Sequence, residues 1–331
     1  MMEYELLDSK KRKDFPLYRL SVFYYIVMAI MLLLLLVNFM THEPSSSPSL
    51  IDNSYQTLPI NDISRELTTT TEKSTAEYKY LSLLNCNLKV DNPTPKYNST
   101  EILRQFTVCA KAILQRFWRN EDTLLLNFPG IVYVCDEEDD VAKIEVTELE
   151  GYQNRKMYAV LPRCQEENTL VTFNINFKSN AEKELKKLIP NLKLIGTSLK
   201  PDVSLKHYDT VHNMTFGEST TDKRFIGHDQ FFNNILKLKK IDILWINTES
   251  NFQYWSFLIK DGGFEKLGIT VCQINIEVTR SEAKRWEVLV MNISTQRKYM
   301  FMRPSASEDG KLTRAFLLNM ASPECVRKYF Q

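Results

Sequence analysis

The stretch KKIDILWINTESNF, residues 239–252, carries a charged turn into a largely apolar run from Ile241 to Ile246, then breaks it at Asn247, Thr248, Glu249 and Ser250. An apolar run of that length bounded by polar residues reads as a buried strand. Its carboxyl end opens onto polar side chains, where open α/β sheets hold their ligands.

Strand and helix patterns alternate on both sides of it. Before it come the strand LVTFNIN (170–176), the charged helix NAEKELKKLIP (180–190), the strand LKLIGTS (192–198) and FFNNILKLKK (231–240). After it come FQYWSFLIKDGG (252–263) and the strand ITVCQINIEV (269–278). That order predicts βαβ units and a largely parallel sheet. RKYMFMRP (297–304) and TRAFLLNM (313–320), joined by SASEDGKL, read as a hairpin at one sheet edge. Earlier in the chain, residues 99–120 have helical apolar spacing at Ile102, Leu103, Phe106, Ala110, Ile113, Leu114 and Phe117, with Ser99 or Thr100 as N-cap. GIVYVCDEEDD (130–140) reads as a strand ending in carboxylates.

Residues 164–201, KKIDILWINTES, ITVCQINIEV and the terminal ECVRKYF together resemble the nematode branch of the FkbM-type methyltransferase family. The resemblance covers roughly residues 160 to 331. It implies an α/β, Rossmann-like methyltransferase fold with an antiparallel C-terminal hairpin, S-adenosylmethionine as cofactor, and O-methylation of a sugar or other small acceptor. Such a cofactor needs glycines for close backbone approach and a carboxylate on the ribose hydroxyls. The family's glycine-rich turn, Gly-x-Gly-x-Asp, is here Asn174, Ile175, Asn176, Phe177 and Lys178, and Ser198 stands where the ribose-binding aspartate belongs. At the fourth strand the family's Asp-x-Glu-Gly is replaced by Asn247, Thr248, Glu249 and Ser250.

The cofactor positions are therefore Asn174, Asn176, Ser198 and Asn247, all substituted, and Glu249 is the remaining candidate catalytic carboxylate. The alternative for Glu249 is a solvated or capping glutamate, which its altered neighbours favour. Glu277 either faces the pocket or pairs with Arg280. The retained residues are architectural: Asp242, Trp245, Cys272, Gln273, Asn275 and Glu277, with Ala181, Glu182 and Cys325.

The N-terminal end sets the compartment. KKRK (10–13) and Arg19 precede an apolar run over 20–40 that is about 30 Å long as a helix, enough for one bilayer span. The basic residues before the run keep residues 1–19 cytoplasmic and put everything after residue 41 in a lumen or outside the cell, as a type II signal anchor of the Golgi, endoplasmic reticulum or plasma membrane. A cleaved signal peptide fits less well, because the run exceeds an h-region. All six cysteines lie beyond the span, as do the sequons at Asn98, Asn213 and Asn292, candidate N-glycan acceptors. Residues 41–77 form a Ser/Thr/Pro-rich stalk, followed by the N-terminal part of the lumenal domain (78–168) and the methyltransferase-like part (169–331).

Other chemistry has less behind it. A formal net charge of +1 gives no footprint for nucleic acid. HYDTVH (207–212) has no helical metal spacing and reads as a surface loop. Two readings compete with methyl transfer: a methyltransferase fold kept for binding or scaffolding, and a Golgi-type glycosyltransferase using Asp136, Glu137, Glu138, Asp139 and Asp140 on a divalent metal. No metal site is assigned.

Overall fold

The computed structural model describes Cys86 and residues 97–137, 140–151, 156–175, 180–200, 205–217, 221–248, 250–307 and 311–331. The cytoplasmic tail, anchor and stalk lie outside these residues, as do Asn176, Lys178, Glu138, Asp139 and Glu249. No helix among the described residues is long and apolar enough to cross a membrane.

The principal elements, in chain order, are α1 (Ser99–Leu114), α2 (Glu121–Asp136), β1 (Thr147–Glu150), β2 (Lys156–Ala159), β3 (Asn168–Phe173), α3 (Asn180–Leu188), β4 (Leu192–Thr197), β5 (Thr210–His212), β6 (Thr215–Phe216), β7 (Phe225–Ile226), β8 (Lys240–Ile246), β9 (Thr270–Thr279), α4 (Ala283–Gln296), β10 (Tyr299–Ala306), β11 (Leu312–Asn319) and α5 (Pro323–Phe330). Seven strands form one sheet in the order β10-β11-β9-β8-β3-β4-β5. The pairs from β5 to β9 are parallel, whereas β11 runs antiparallel to both β9 and β10. This is the mostly parallel sheet with an antiparallel C-terminal hairpin expected of a methyltransferase-like α/β fold. The chain reverses its direction of travel across the sheet between β3 and β8, which makes their carboxyl ends the topological switch point.

Alternation along β8 explains why both faces are covered. Leu244 and Ile246 enter one core with Phe128, Trp286 and Phe301, while Ile243 and Trp245 enter a second with Leu170, Leu185 and Leu194. On β9 the alternation is of another kind, because Gln273, Asn275 and Glu277 form a polar row that is nevertheless buried. Gln273 accepts the Val160 N–H and donates to the Val160 carbonyl, both at 2.8 Å. Asn275 does the same for Tyr158, at 3.1 and 2.8 Å. Two side-chain amides thus stand in for a neighbouring strand and hold residues 156–160 over the sheet.

The amino end of β8 is tied down by charge. Asp242 accepts the Thr169 N–H at 3.0 Å and the Lys328 ammonium at 2.7 Å, with both side chains essentially inaccessible. Lys328 also donates to the Glu167 carbonyl at 2.8 Å. Burial pulls the Lys328 ammonium below its usual range, and the Asp242 carboxylate opposes that shift. The six cysteines pair as Cys86–Cys164, Cys109–Cys135 and Cys272–Cys325, the last fastening α5 to β9. Three disulfides are consistent with an oxidising, lumenal or extracellular setting.

Three sequence expectations change. GIVYVC is the second half of α2 and not a strand: Asn120 caps the helix, and Leu124, Leu125, Phe128, Ile131, Val132 and Cys135 bury one helical face. Its β-branched composition suggested extended structure, but burial at helical spacing and the Cys109–Cys135 bridge to α1 override it. Asp136 ends this helix and Glu137 caps it, which removes the strand-end premise of the glycosyltransferase reading. The N-cap of α1 is Asn98, whose side chain accepts the Glu101 N–H at 3.2 Å. Thr210–His212, read as loop, is the edge strand β5.

Replacing Asn275 with Leu leaves the Tyr158 backbone groups buried and unpaired, and should lower the unfolding free energy in urea titration by about 1–3 kcal/mol. Lys328→Met, which leaves the buried Asp242 carboxylate to the longer 3.7 Å contact with Lys240, should cost about 3 kcal/mol by the same measurement.

Candidate functional site

The strand β3 ends at Phe173, and Asn174 takes φ 60°, the left-handed conformation that asparagine tolerates better than most residues. From there its side-chain amide donates to the Thr248 carbonyl beyond β8, at 2.5 Å. Asn247, the residue after β8, answers: its side-chain amide donates to the Asn174 carbonyl at 2.9 Å, and its N–H donates to the Phe173 carbonyl at 3.2 Å. Two of the substituted positions are therefore brought together, and they join the strand ends to each other.

The neighbouring strand end is filled as well. A Cβ added at Gly196 would stand 2.4 Å from Ile175 Cδ1 and 3.0 Å from Tyr208 Cε1, so the gap this glycine leaves is taken by the chain's own side chains. The Ile175 N–H donates to the Thr197 carbonyl at 2.8 Å. Ser198 is buried and accepts the Lys200 N–H at 3.1 Å, which engages its hydroxyl within its own loop. Below lies a polar knot in which the Tyr208 hydroxyl is 3.0 Å from both Thr172 Oγ1 and Glu182 Oε1. Burial lifts the Glu182 carboxyl to about 7 and holds the Tyr208 phenol well above its ordinary value.

Glu277 faces the pocket at the strand ends and does not pair with Arg280. It is bound by Arg314 of β11 and accepts the Thr248 N–H at 3.1 Å, while Arg280 pairs with Asp122 at 3.2 Å. Both carboxylate oxygens have partners, so Glu277 is not poised as a general base. The Asn176 and Glu249 positions lie outside the described residues.

A cavity of about 640 Å³ remains at the ends of β8 and β9, lined among others by His228, Asn247, Thr248, Trp255, Glu277 and Arg285. Phe216 and Phe252 each approach the Phe173 ring with centroids 4.8 Å away, roofing the end of β3. The His228 ring lies flat on Phe216 at 4.8 Å and accepts the Gln253 N–H at 3.3 Å; burial lowers its pKa. Arg285 stacks on Trp255 at 4.4 Å. Phe216 and His228 come from the segment between β5 and β8, which has no periodic pattern to reveal them. Ile175 was visible in sequence only as a bulky residue between Asn174 and Asn176.

These residues do not fit a methyl donor. Among the described residues no carboxylate stands at Ser198 to meet ribose hydroxyls, the asparagine amides bond the protein's own carbonyls, and Ile175 covers Gly196.

No protein-family model and no curated protein matches the chain. Among solved structures it is similar to a putative rRNA-methylase from Clostridium thermocellum, at 9% identity over 48% of this chain and 89% of that one, with TM-score 0.29. It is also similar to fibrillarin from Aeropyrum pernix in complex with S-adenosyl-L-methionine, at 10% identity over 46% of this chain and 67% of that one, with TM-score 0.30. The fold assignment rests on the strand order of this sheet.

Glu182 gives a pH test. Its folded pKa is raised from 4.5 to about 7, so its contribution to stability is fully present below pH 4.5 and is lost as pH rises to about 7. Glu182→Gln should abolish that part of the decline, and the difference in unfolding free energy between the two proteins should change by about 3 kcal/mol across the window.

Proposed function

We propose that the chain is a non-catalytic binding protein on a methyltransferase fold, anchored by residues 20–40 and facing a lumen or the cell exterior. The observation that carries this reading is the Asn174 amide bonded to the Thr248 carbonyl at 2.5 Å, which ties the strand ends together at the switch point. With the donor side closed, the cavity at the ends of β8 and β9 is the space left for a ligand at the strand ends. Its aromatic roof and hydrogen-bonding wall suit a small molecule with a flat apolar face and polar edges.

The strand order favours a second reading, methyl transfer from S-adenosylmethionine to a sugar or other small acceptor. That activity needs the Asn174–Thr248 bond to open and Ile175 to leave Gly196. The basic cluster before residue 20 and the disulfides support a type II span of the Golgi, endoplasmic reticulum or plasma membrane. Asn98, Asn213 and Asn292 are the proposed N-glycan acceptors; Asn98 uses its side-chain oxygen to cap α1, and its nitrogen is the atom a glycan takes.

Calorimetric titration of S-adenosylmethionine into the full-length protein in lipid nanodiscs should give no binding heat up to millimolar ligand. Micromolar binding would overturn the non-catalytic reading and restore methyl transfer.

A further inference from the structure

A second cavity, of about 620 Å³, shares no lining residue with the strand-end cavity. It lies between α2, the β1–β2 hairpin and the outer strand β10, and its walls include Gly130, Tyr133, Asp136, Glu148, Tyr158 and Arg303. Asp136, the last residue of α2, is 3% exposed. One carboxylate oxygen accepts the Arg303 N–H at 2.8 Å; the other, Oδ1, is buried and has no hydrogen-bond partner among the described residues. Buried acceptors are nearly always paired, so an orphan oxygen in a cavity wall calls for a donor from outside the chain.

The surroundings are built around that oxygen. The pairing of β10 with β11 breaks between Met302 and Ser305, and inside the break Arg303 sits at φ 45°, a left-handed conformation costly for arginine. The bulge directs the Arg303 N–H onto Asp136 while Arg303 also lines the cavity. On the helix side the wall is thin: a Cβ at Gly130 would meet no atom within 4 Å. Tyr133, 56% exposed, stands on the same wall, and Tyr158, largely buried, stands on the β2 side.

These groups select a class of ligand. Asp136 Oδ1 needs a donor and the Arg303 guanidinium needs an acceptor, and a hydroxyl is both. A cationic ligand would meet the charge of Arg303, and an anionic one would meet Asp136 and Glu148. Two tyrosines offer apolar faces to the C–H surface of a ring. We infer that this cavity binds a neutral saccharide through vicinal hydroxyls held by Asp136 and Arg303, with Tyr133 and Tyr158 contributing ring contacts. The inference stands apart from the strand-end cavity and does not depend on what that cavity holds.

The test uses the full-length protein in nanodiscs and saturation-transfer NMR with a panel of methyl glycosides (glucose, galactose, mannose, N-acetylglucosamine and fucose), with cyclohexanol and trans-1,2-cyclohexanediol as control probes. At least one glycoside should bind saturably, the diol should outcompete cyclohexanol, and both Asp136→Asn and Gly130→Leu should weaken glycoside binding at least about tenfold, a loss of 1.4 kcal/mol. Gly130→Leu fills open space, so it reports on the cavity even if Asp136→Asn perturbs the fold; far-UV circular dichroism checks both. Presenting the same sugars on a glycopeptide separates a soluble ligand from a glycoprotein one, and binding in either arm meets the expectation. The inference is overturned if no glycoside binds, if binding survives both variants, or if a crystal structure soaked with the best glycoside shows only an ordered water at Asp136 Oδ1.

Discussion

The buried pair Asp242–Lys328 is the constraint on which the rest of the sheet depends. Asp242 lies near the amino end of the central strand β8, and its two oxygens bind the Thr169 N–H of β3 and the ammonium of Lys328 in α5. Neither charge reaches water, and although Lys240 lies 3.7 Å from Asp242 and Glu166 lies 3.4 Å from Lys328, the 2.7 Å pair is the closest compensation either charge has among the described residues. The Cys272–Cys325 bridge holds the same helix to β9. Together they fix the register of β3, β8 and β9 from the amino end, and the opposite end of those strands can change without loosening the sheet.

What has changed there is the use made of polar groups. In a strand-end ligand site, backbone and side-chain donors are left facing a cavity. Here the amides of Asn174 and Asn247 face each other's backbone, Ser198 caps its own turn, and Glu277 is held between Arg314 and the Thr248 N–H. Each of these bonds removes a group that could have met a cofactor. The fold and the site are thus governed by separate sets of contacts, which is why strand order alone does not carry an activity.

Much of the sheet was legible in the sequence. The break after Ile246, the alternation from Leu170 onward and the C-terminal hairpin all correspond to observed strands, because runs of apolar residues bounded by polar ones have few other outcomes. Residues 130–135 misled because Ile, Val and Tyr favour strands locally, whereas packing against α1 and β10 is a tertiary matter. Gln273 and Asn275 were legible as architectural, but only the structure reveals that they do this by holding the backbone of Val160 and Tyr158. At the site, the sequence showed asparagines and a serine where the resemblance implied glycines and acids. It could not tell that the replacing asparagines bond across the switch point, or that Ile175 lies over Gly196, since both depend on distances between strands.

The most direct measurement is side-chain amide hydrogen exchange at Asn174, followed by NMR on the isotope-labelled full-length protein with and without millimolar S-adenosylmethionine. A clasped strand end predicts a slowly exchanging Asn174 amide whose rate and chemical shift ignore the methyl donor. Exchange at the rate of a solvent-exposed asparagine, or a shift on adding the donor, would mean that the strand ends open and that the closed-site account is wrong.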